Sequence, residues 1–464
     1  MDLDLGATSL PLWIMLPSTF VLILAFLVFA FFRAPTLRAR LVLFVPWFRY
    51  LLTFFHSVTF QPAVAGLSWM ALTSSAVFLA GIMIVRRRDL LRKRLLPIYT
   101  MISVILLSGL ANHNIGGTVD AAVKFGYLLV ISILVFESLN EVGEQRMSRL
   151  MLWPFIMPFA FLGLSVLLGV AKNSESDGSI SYIGGYSHES GFSIVLATCF
   201  VIACFTTSLP RLIRRGILIS CIAGIILANY RTTMLAIIPL VLVLANQEML
   251  APFRPSQRRV IIVATAALSL LCFAALAWIF RERFADMASA FEPWDRLLKP
   301  PYEYSRDDRE LFSGRAYIWS AYIYSWTQAG TVNHLLGLGA NSWVGVFPIY
   351  AHNTLVSSLY EYGPLGVVAL IYLWSSTLFA ALKVRQGPRA LLVAANISFI
   401  ILNMATMPHW MIEGDILYGF IVGYTLYFLY RPQTAPLGKP ASANQRRERN
   451  VGLAPAPVGR TRSS

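Results

Sequence analysis

Charge is scarce in this chain. Only 13% of its 464 residues are Asp, Glu, Lys or Arg, against 57% hydrophobic, and the mean hydropathy is +0.64. That balance excludes an ordinary soluble domain of this length. Acid is scarcer than base, 23 residues against 38, and no clustered acidic motif of the kind that holds Mg²⁺ occurs in the polar loops. The four cysteines, Cys199, Cys204, Cys221 and Cys272, all fall inside apolar runs, so no disulfide framework is expected between loops. Six scattered histidines without i, i+4 spacing make a poor zinc site. No cleavable signal is expected, because the first apolar stretch is too long, lacks a basic leader and offers no small-residue cleavage site. Basic residues nowhere interleave with aromatics in a soluble module, which argues against a nucleic-acid partner.

What remains is apolar sequence in runs near the ~20 residues that cross a bilayer. They lie near 11–32, 41–60, 64–85, 95–111, 121–138, 151–171, 191–209, 216–229, 232–246, 260–280, 364–384, 390–408 and 416–430. The run lengths exclude a β-barrel and predict an all-α polytopic membrane protein of 12–13 transmembrane helices. The second run is the weak one, since Arg49 sits in its middle. Five regions follow: N-terminal helices over 1–110, a central bundle over 111–280, a large loop with short amphipathic helices over 281–363, C-terminal helices over 364–430, and a basic Pro- and Ala-rich tail over 431–464 expected to be disordered. No internal repeat of the transporter type is evident.

The net charge of +15 is read as topology. Clusters at Arg33–Arg40, Arg86–Arg94, Arg211–Arg215, Arg254–Arg259, Lys383–Arg389 and the tail fall on one side, expected to be cytoplasmic, provided that 41–60 crosses. The opposite face then carries 112–120, 172–190, 281–355 and 409–415, and in a bacterial inner membrane it is periplasmic. All six histidines lie on or near it.

Three positions on that face suit chemistry on an anion. Arg231 opens the ninth run, where helix N–H groups and a forked guanidinium suit phosphate; the plain alternative is a snorkelling arginine. Arg315 follows Ser313, a plausible N-cap, and leads an aromatic stretch with Tyr317, Trp319, Tyr322, Tyr324 and Trp326 expected along the membrane surface; the plain alternative is an interface anchor. His352 precedes Asn353, a good cap for a helix over 354–361 that ends at Gly363 before Pro364 starts the next. An imidazole there suits a general base for a sugar hydroxyl, although a hydrogen-bonded loop histidine looks the same in sequence. Glu361 lies nine residues on, about 180° around a helix from His352, so it is read as structural. The charge run Arg306–Glu310 is read as solvated.

Arg231 beside a short break, Gly314-Arg315 followed by Trp319, Gly337-Leu338-Gly339, and His352-Asn353 through Leu359 to Glu361-Tyr362-Gly363-Pro364-Leu365-Gly366 together resemble the O-antigen ligase and polysaccharide polymerase family. The segment Ile183-Gly184-Gly185-Tyr186-Ser187-His188-Glu189-Ser190 resembles an outer loop of the same family. The resemblance covers about 172–384; the first 110 residues match nothing in it, and an odd span count departs from its usual twelve.

That resemblance implies a metal-independent inverting glycosyltransferase without a cofactor. Its donor would be an oligosaccharide on undecaprenyl diphosphate, and its acceptor another glycan, for a polymerase, or the lipid A core, for a ligase; a chain-length regulator is a further partner. Arg231 and Arg315 would hold the diphosphate and His352 would activate the acceptor. Asn353, Tyr317, Trp319 and His188 are further candidate substrate contacts, with Glu361 and Gly363 framing the site. A secondary transporter or flippase is the competing class, resting on Lys124 and Arg49 within apolar runs.

Overall fold

The computed structural model describes residues 10–64, 67–173, 180–250, scattered positions between 257 and 274, then 299–310, 314–385 and 387–431. Most of the tenth apolar run, the loop over 281–298, Ser313, Cys272 and the tail beyond 431 therefore lie outside the described residues. Residues up to Leu429 form one compact unit, so the four regions before the tail are not separate ones.

Among the described residues the secondary structure is helical, apart from two short antiparallel ribbons pairing Pro62–Val64 with Leu67–Ser68 and Lys172–Asn173 with Ile180–Ser181. In order the main helices are α1 Leu12–Phe26, α2 Leu37–Phe54, α3 Trp69–Ile84, α4 Leu96–Ala111, α5 Ile115–Val142, α6 Glu144–Leu150, α7 Ile156–Leu167, α8 Glu189–Phe205, α9 Arg211–Leu227, α10 Arg231–Ala236, α11 Ile238–Leu250, α12 Arg315–Thr327, α13 Thr331–Leu336, α14 Thr354–Lys383, α15 Arg389–Ala405 and α16 Ile412–Tyr430. Among the described residues six helical stretches are long and apolar enough to cross a membrane: Leu12–Phe31, Lys93–Ala111, Ile115–Val142, Glu144–Leu167, Thr354–Lys383 and Ile412–Tyr430. Shorter apolar helices occupy Trp69–Ile84, Glu189–Phe205 and Arg389–Ala405. The protein is thus an all-α membrane protein.

Caps read from sequence chemistry start several of these helices. Thr36, Ser68 and Asn114 accept from the backbone N–H of Ala39, Ala71 and Gly117, satisfying donors that a helix start leaves free. Helix α5 is the hub, buried almost without interruption from Phe125 to Leu139 and packed by α2, α3 and α4. Small residues let the backbones approach: Gly81 of α3 meets Val130, and Gly419 and Gly423 of α16 meet Ile131 and Val135.

The doubtful second run is a helix, α2, and its arginine has a partner. Arg49 makes a forked contact with Glu413 of α16, Nε to Oε1 at 2.9 Å and Nη2 to Oε2 at 3.2 Å. Thr53 and Tyr186 also donate to Glu413 Oε1, at 3.1 and 2.8 Å, and Ser74 lies 3.4 Å from the guanidinium. A buried charge is tolerated only when its hydrogen-bonding capacity is met, as it is here.

Two readings of the large loop are corrected. Not every aromatic of α12 is free to face a membrane surface: Tyr322 is buried, stacks on Phe347 at 4.2 Å and abuts Tyr360 at 5.0 Å, and Trp326 packs edge-on to His334, whereas Tyr324 is exposed. Apolar surface on neighbouring loop segments covers Tyr322. Nor is Arg306–Glu310 a freely solvated run, because Asp308 is buried, paired with Lys299 Nζ at 2.6 Å and bonded to Ser305 Oγ at 2.7 Å.

Removing one partner of the α2–α16 pair strands the rest. Arg49→Met is expected to cost roughly 3–5 kcal/mol, and Arg49→Met with Glu413→Gln to recover much of it. Thermal unfolding in detergent, followed by size-exclusion chromatography, checks both.

Candidate functional site

Helix α14 organises the site because it is two helices joined by a break. Gly363 adopts φ 66° and ψ −169°, and Pro364 follows, as the sequence pattern predicts. A proline lacks the N–H that would close on the carbonyl four residues back. That carbonyl, Tyr360 O, accepts instead from Leu338 N–H at 2.8 Å, and Glu361 O accepts from Gly339 N–H and Ser108 Oγ, each at 2.9 Å. Gly337 and Gly363 permit the approach: a Cβ on Gly363 would strike the Leu335 carbonyl, and one on Gly337 the Glu361 backbone. Asn112 Nδ2 holds Gly337 O at 3.0 Å and Asn114 Nδ2 holds Ala340 O at 2.7 Å. The two glycine-containing motifs, far apart in sequence, are therefore one locked joint.

The N-terminal end of α14 presents His352. Asn353 caps the helix, its Oδ1 accepting from Leu355 and Val356 N–H at 2.9 and 3.2 Å, while its Nδ2 donates to Met404 O at 3.0 Å. His352 itself sits at φ 53°, a left-handed conformation uncommon for a side-chain-bearing residue and frequent at functional sites. Trp319 of α12 fixes the preceding residue by donating Nε1–H to Ala351 O at 2.8 Å, and Tyr322 OH holds Ile349 O at 3.0 Å. The imidazole lies 4.1 Å from the Tyr350 ring centroid, and its Nδ1 is buried without a hydrogen-bond partner.

Burial pushes the His352 pKa down to about 4, with further lowering by the positive charges of Arg315 and His188. The structure thus brings His352, Arg315 and His188 within electrostatic reach of one another. It also fixes the protonation state: at neutral pH the imidazole is neutral and retains a lone pair.

Arg315 is the first residue of α12, but its N-cap position is Gly314, at φ 76°, and not Ser313. Left-handed backbone at Gly314 turns the chain into the helix without a side-chain cap. His188 caps α8, its Nδ1 accepting from Ser190 N–H at 3.1 Å and lying 2.7 Å from Ser190 Oγ. Arg231 opens α10 as expected, after Asn229 at φ 53° and Tyr230, whose hydroxyl lies 2.8 Å from Thr406 Oγ1. Tyr230 is in the electrostatic field of Arg315 and Glu189, which ties this turn to the same cluster. Tyr317 is engaged elsewhere, edge-on to Tyr304 at 5.4 Å with the Arg309 guanidinium 5.0 Å over its ring. Glu361 stands apart from His352, its side chain lining an internal cavity with Asp120, Lys124 and His409.

Sequence reasoning missed the supports. Ser108, Asn112 and Asn114 stand at the end of α4 and the start of α5, in and just beyond the stretch with no family likeness, yet Ser108 holds the Glu361 carbonyl and the two asparagines strap the 337–340 segment. The polar Asn112-His113-Asn114 triplet after an apolar run was the available signal. Asn403 Oδ1 and Thr406 O, which receive Thr354 Oγ1 at 2.7 and 3.4 Å, had none.

Arg315 depresses the basicity of His352, so Arg315→Gln should move the imidazole midpoint upward from about 4. Histidine-labelled protein titrated by NMR reads the shift; an unchanged or lowered midpoint contradicts the coupling. No family model and no curated protein matches this chain.

Proposed function

We propose that this protein is a glycosyltransferase of the bacterial inner membrane, acting on the periplasmic face on a saccharide carried by undecaprenyl diphosphate, and most simply a polysaccharide polymerase. The observation that carries the reading is a neutral, buried imidazole held in a strained conformation within the field of Arg315, with His188 close by. The motif resemblance to O-antigen ligases and polysaccharide polymerases supports it, as do the apolar helices that would receive a polyprenyl chain. A span count of twelve or thirteen and a cytoplasmic C-terminus belong to the same proposal, as does a chain-length regulator.

In the proposed reaction the acceptor hydroxyl gives its proton to His352. Its oxygen bonds to the anomeric carbon with inversion as the bond from that carbon to the diphosphate oxygen breaks. Arg231 and Arg315 take up the charge that develops on the leaving diphosphate, through forked, charge-assisted hydrogen bonds. The same charge relieves the field that weakens His352, so donor binding raises the basicity of the group that must act next. A ligase differs only in presenting lipid A core as the acceptor.

A transporter or flippase is favoured by a different observation: Glu361 and Asp415 are ionisable groups buried among apolar helices, and Lys124 is half-buried on the cavity that Glu361 lines.

Reconstitution with a lipid diphosphate-linked oligosaccharide separates these readings. Wild type is expected to build longer lipid-linked ladders. Arg315→Ala and His352→Ala should each lower transfer by about 10²–10⁴-fold while the protein still inserts and accumulates. Wild-type product from both variants overturns the site. Arg231→Lys should fail as well if the contact is forked; retained turnover there reduces it to simple charge.

A further inference from the structure

The proposed transfer leaves unused a group of titratable side chains below the site. A cavity of about 30 Å³, enough for one or two waters, lies between α5, α14 and the turn Pro408–Trp410. Glu361 lines it, is 1% exposed, and its Oε1 has no hydrogen-bond partner; Ser358 Oγ on the same wall is also buried and unpartnered. Lys124 is the cation on this cavity, but its Nζ is 2.6 Å from Asp120 Oδ2, which also accepts from Asn341 Nδ2 at 2.9 Å. The Tyr362 hydroxyl and the Asn341 backbone N–H hydrogen-bond the Glu361 carboxyl, leaving its Oε1 as the oxygen without a partner.

His409, on the opposite wall, supplies no charge. The Trp374 Nε1–H can only donate, and it points at His409 Nε2 at 3.3 Å, so that nitrogen carries the lone pair. The ring proton is then on Nδ1, donated to Asp415 Oδ1 at 2.7 Å. Burial also pushes the His409 pKa down to about 3, in keeping with a neutral ring. Asp415 is fully buried, and its Oδ2 has no partner. The nearby Arg49 is already committed to Glu413. Three carboxyls, Asp120, Glu361 and Asp415, therefore stand within the field of Lys124, whose ammonium is already paired with Asp120.

Exposure is graded along this group. The Asp120 side chain is 42% exposed and that of Lys124 16%, whereas Glu361 and Asp415 are shut in. A buried carboxylate with an empty lone pair and no counter-charge is costly, and a proton removes the cost.

We propose that this cavity is a proton-binding site, a blind well entered past Asp120 and Lys124, with Glu361 as its exchangeable acid and Asp415 as an inner acid. The ligand is the proton itself. Because the Glu361 backbone is part of the locked joint at Gly363, loss of that proton places an unpaired charge at the hinge of α14 and links proton concentration at the Asp120 mouth to the helix that presents His352. The assignment does not depend on glycosyl transfer.

Infrared difference spectroscopy on the purified full-length protein tests it. At neutral pH the wild type should show protonated-carboxyl C=O absorption that shifts down in D₂O, loses one component in Glu361→Gln and loses the remaining component when Asp415→Asn is added. Lys124→Met should raise the pH at which the Glu361 band converts to carboxylate. The band should be indifferent to exchanging choline for sodium in the buffer. If Glu361→Gln removes only carboxylate intensity, or if sodium converts the acid band at fixed pH, the proton assignment fails. Should the variant not survive purification, the wild-type spectrum alone decides: no protonated-carboxyl band at neutral pH overturns the proposal.

Discussion

A guanidinium buried in an apolar bundle must find its counter-ion before the helices around it can settle, and here that contact joins distant parts of the chain. Arg49 of α2 meets Glu413 of α16, and the same Oε1 accepts from Tyr186. Tyr186 belongs to the segment that leads to His188, and Glu413 follows the turn carrying His409 and Trp410. One pair therefore fixes α2, sets the start of α16, and anchors the loop that delivers His188 to the candidate site. Its value is specificity of arrangement more than net stability, since buried pairs seldom repay their desolvation by much. A slip of α2 by one residue would take Arg49 off its carboxylate and leave both charges stranded.

The same principle explains what was legible in the sequence. The Asn353 cap, the helix to Gly363 and the restart at Pro364 are local chemistry, and each appears where the residue types require it. Long apolar runs likewise became helices. The function of Gly337 was not legible, because a glycine permits a close approach without naming what approaches; only the fold shows that it mates with the Glu361 backbone. Ser108, Asn112 and Asn114 were invisible for a related reason. Short polar side chains at a helix end read as interfacial, and the carbonyls that they hold lie hundreds of residues away. Tyr322 of α12 was misread because an amphipathic helix records that it has an apolar face, not whether lipid or protein covers it.

Charge inside the bundle divides in the same way. Lys124 and Arg49 stand out in apolar runs, but Asp120, Glu413 and Asp415 sit near run boundaries and look like loop residues. Their placement is a tertiary fact: α5 extends past its apolar stretch at the N-terminal end and carries Asp120 beside Lys124, and α16 begins earlier than hydropathy indicates and buries Glu413 and Asp415. Hydropathy averages over a window and cannot place one carboxylate relative to the first turn.

His352 shows how these supports become chemistry. Its left-handed φ is sustained by the contacts on either side, with Trp319 holding Ala351 and Asn353 committed to the helix start and to Met404. The imidazole cannot relax without breaking one of them, so its orientation is built in before any substrate arrives. Its weak basicity in the empty site follows from burial and from Arg315 and His188 nearby. In the proposed reaction that weakness is useful. A base kept neutral and feeble by burial and by the Arg315 charge gains strength when an anion lies beside that guanidinium, which favours proton abstraction in the complex that holds the donor diphosphate, where there is a bond for the acceptor hydroxyl to replace.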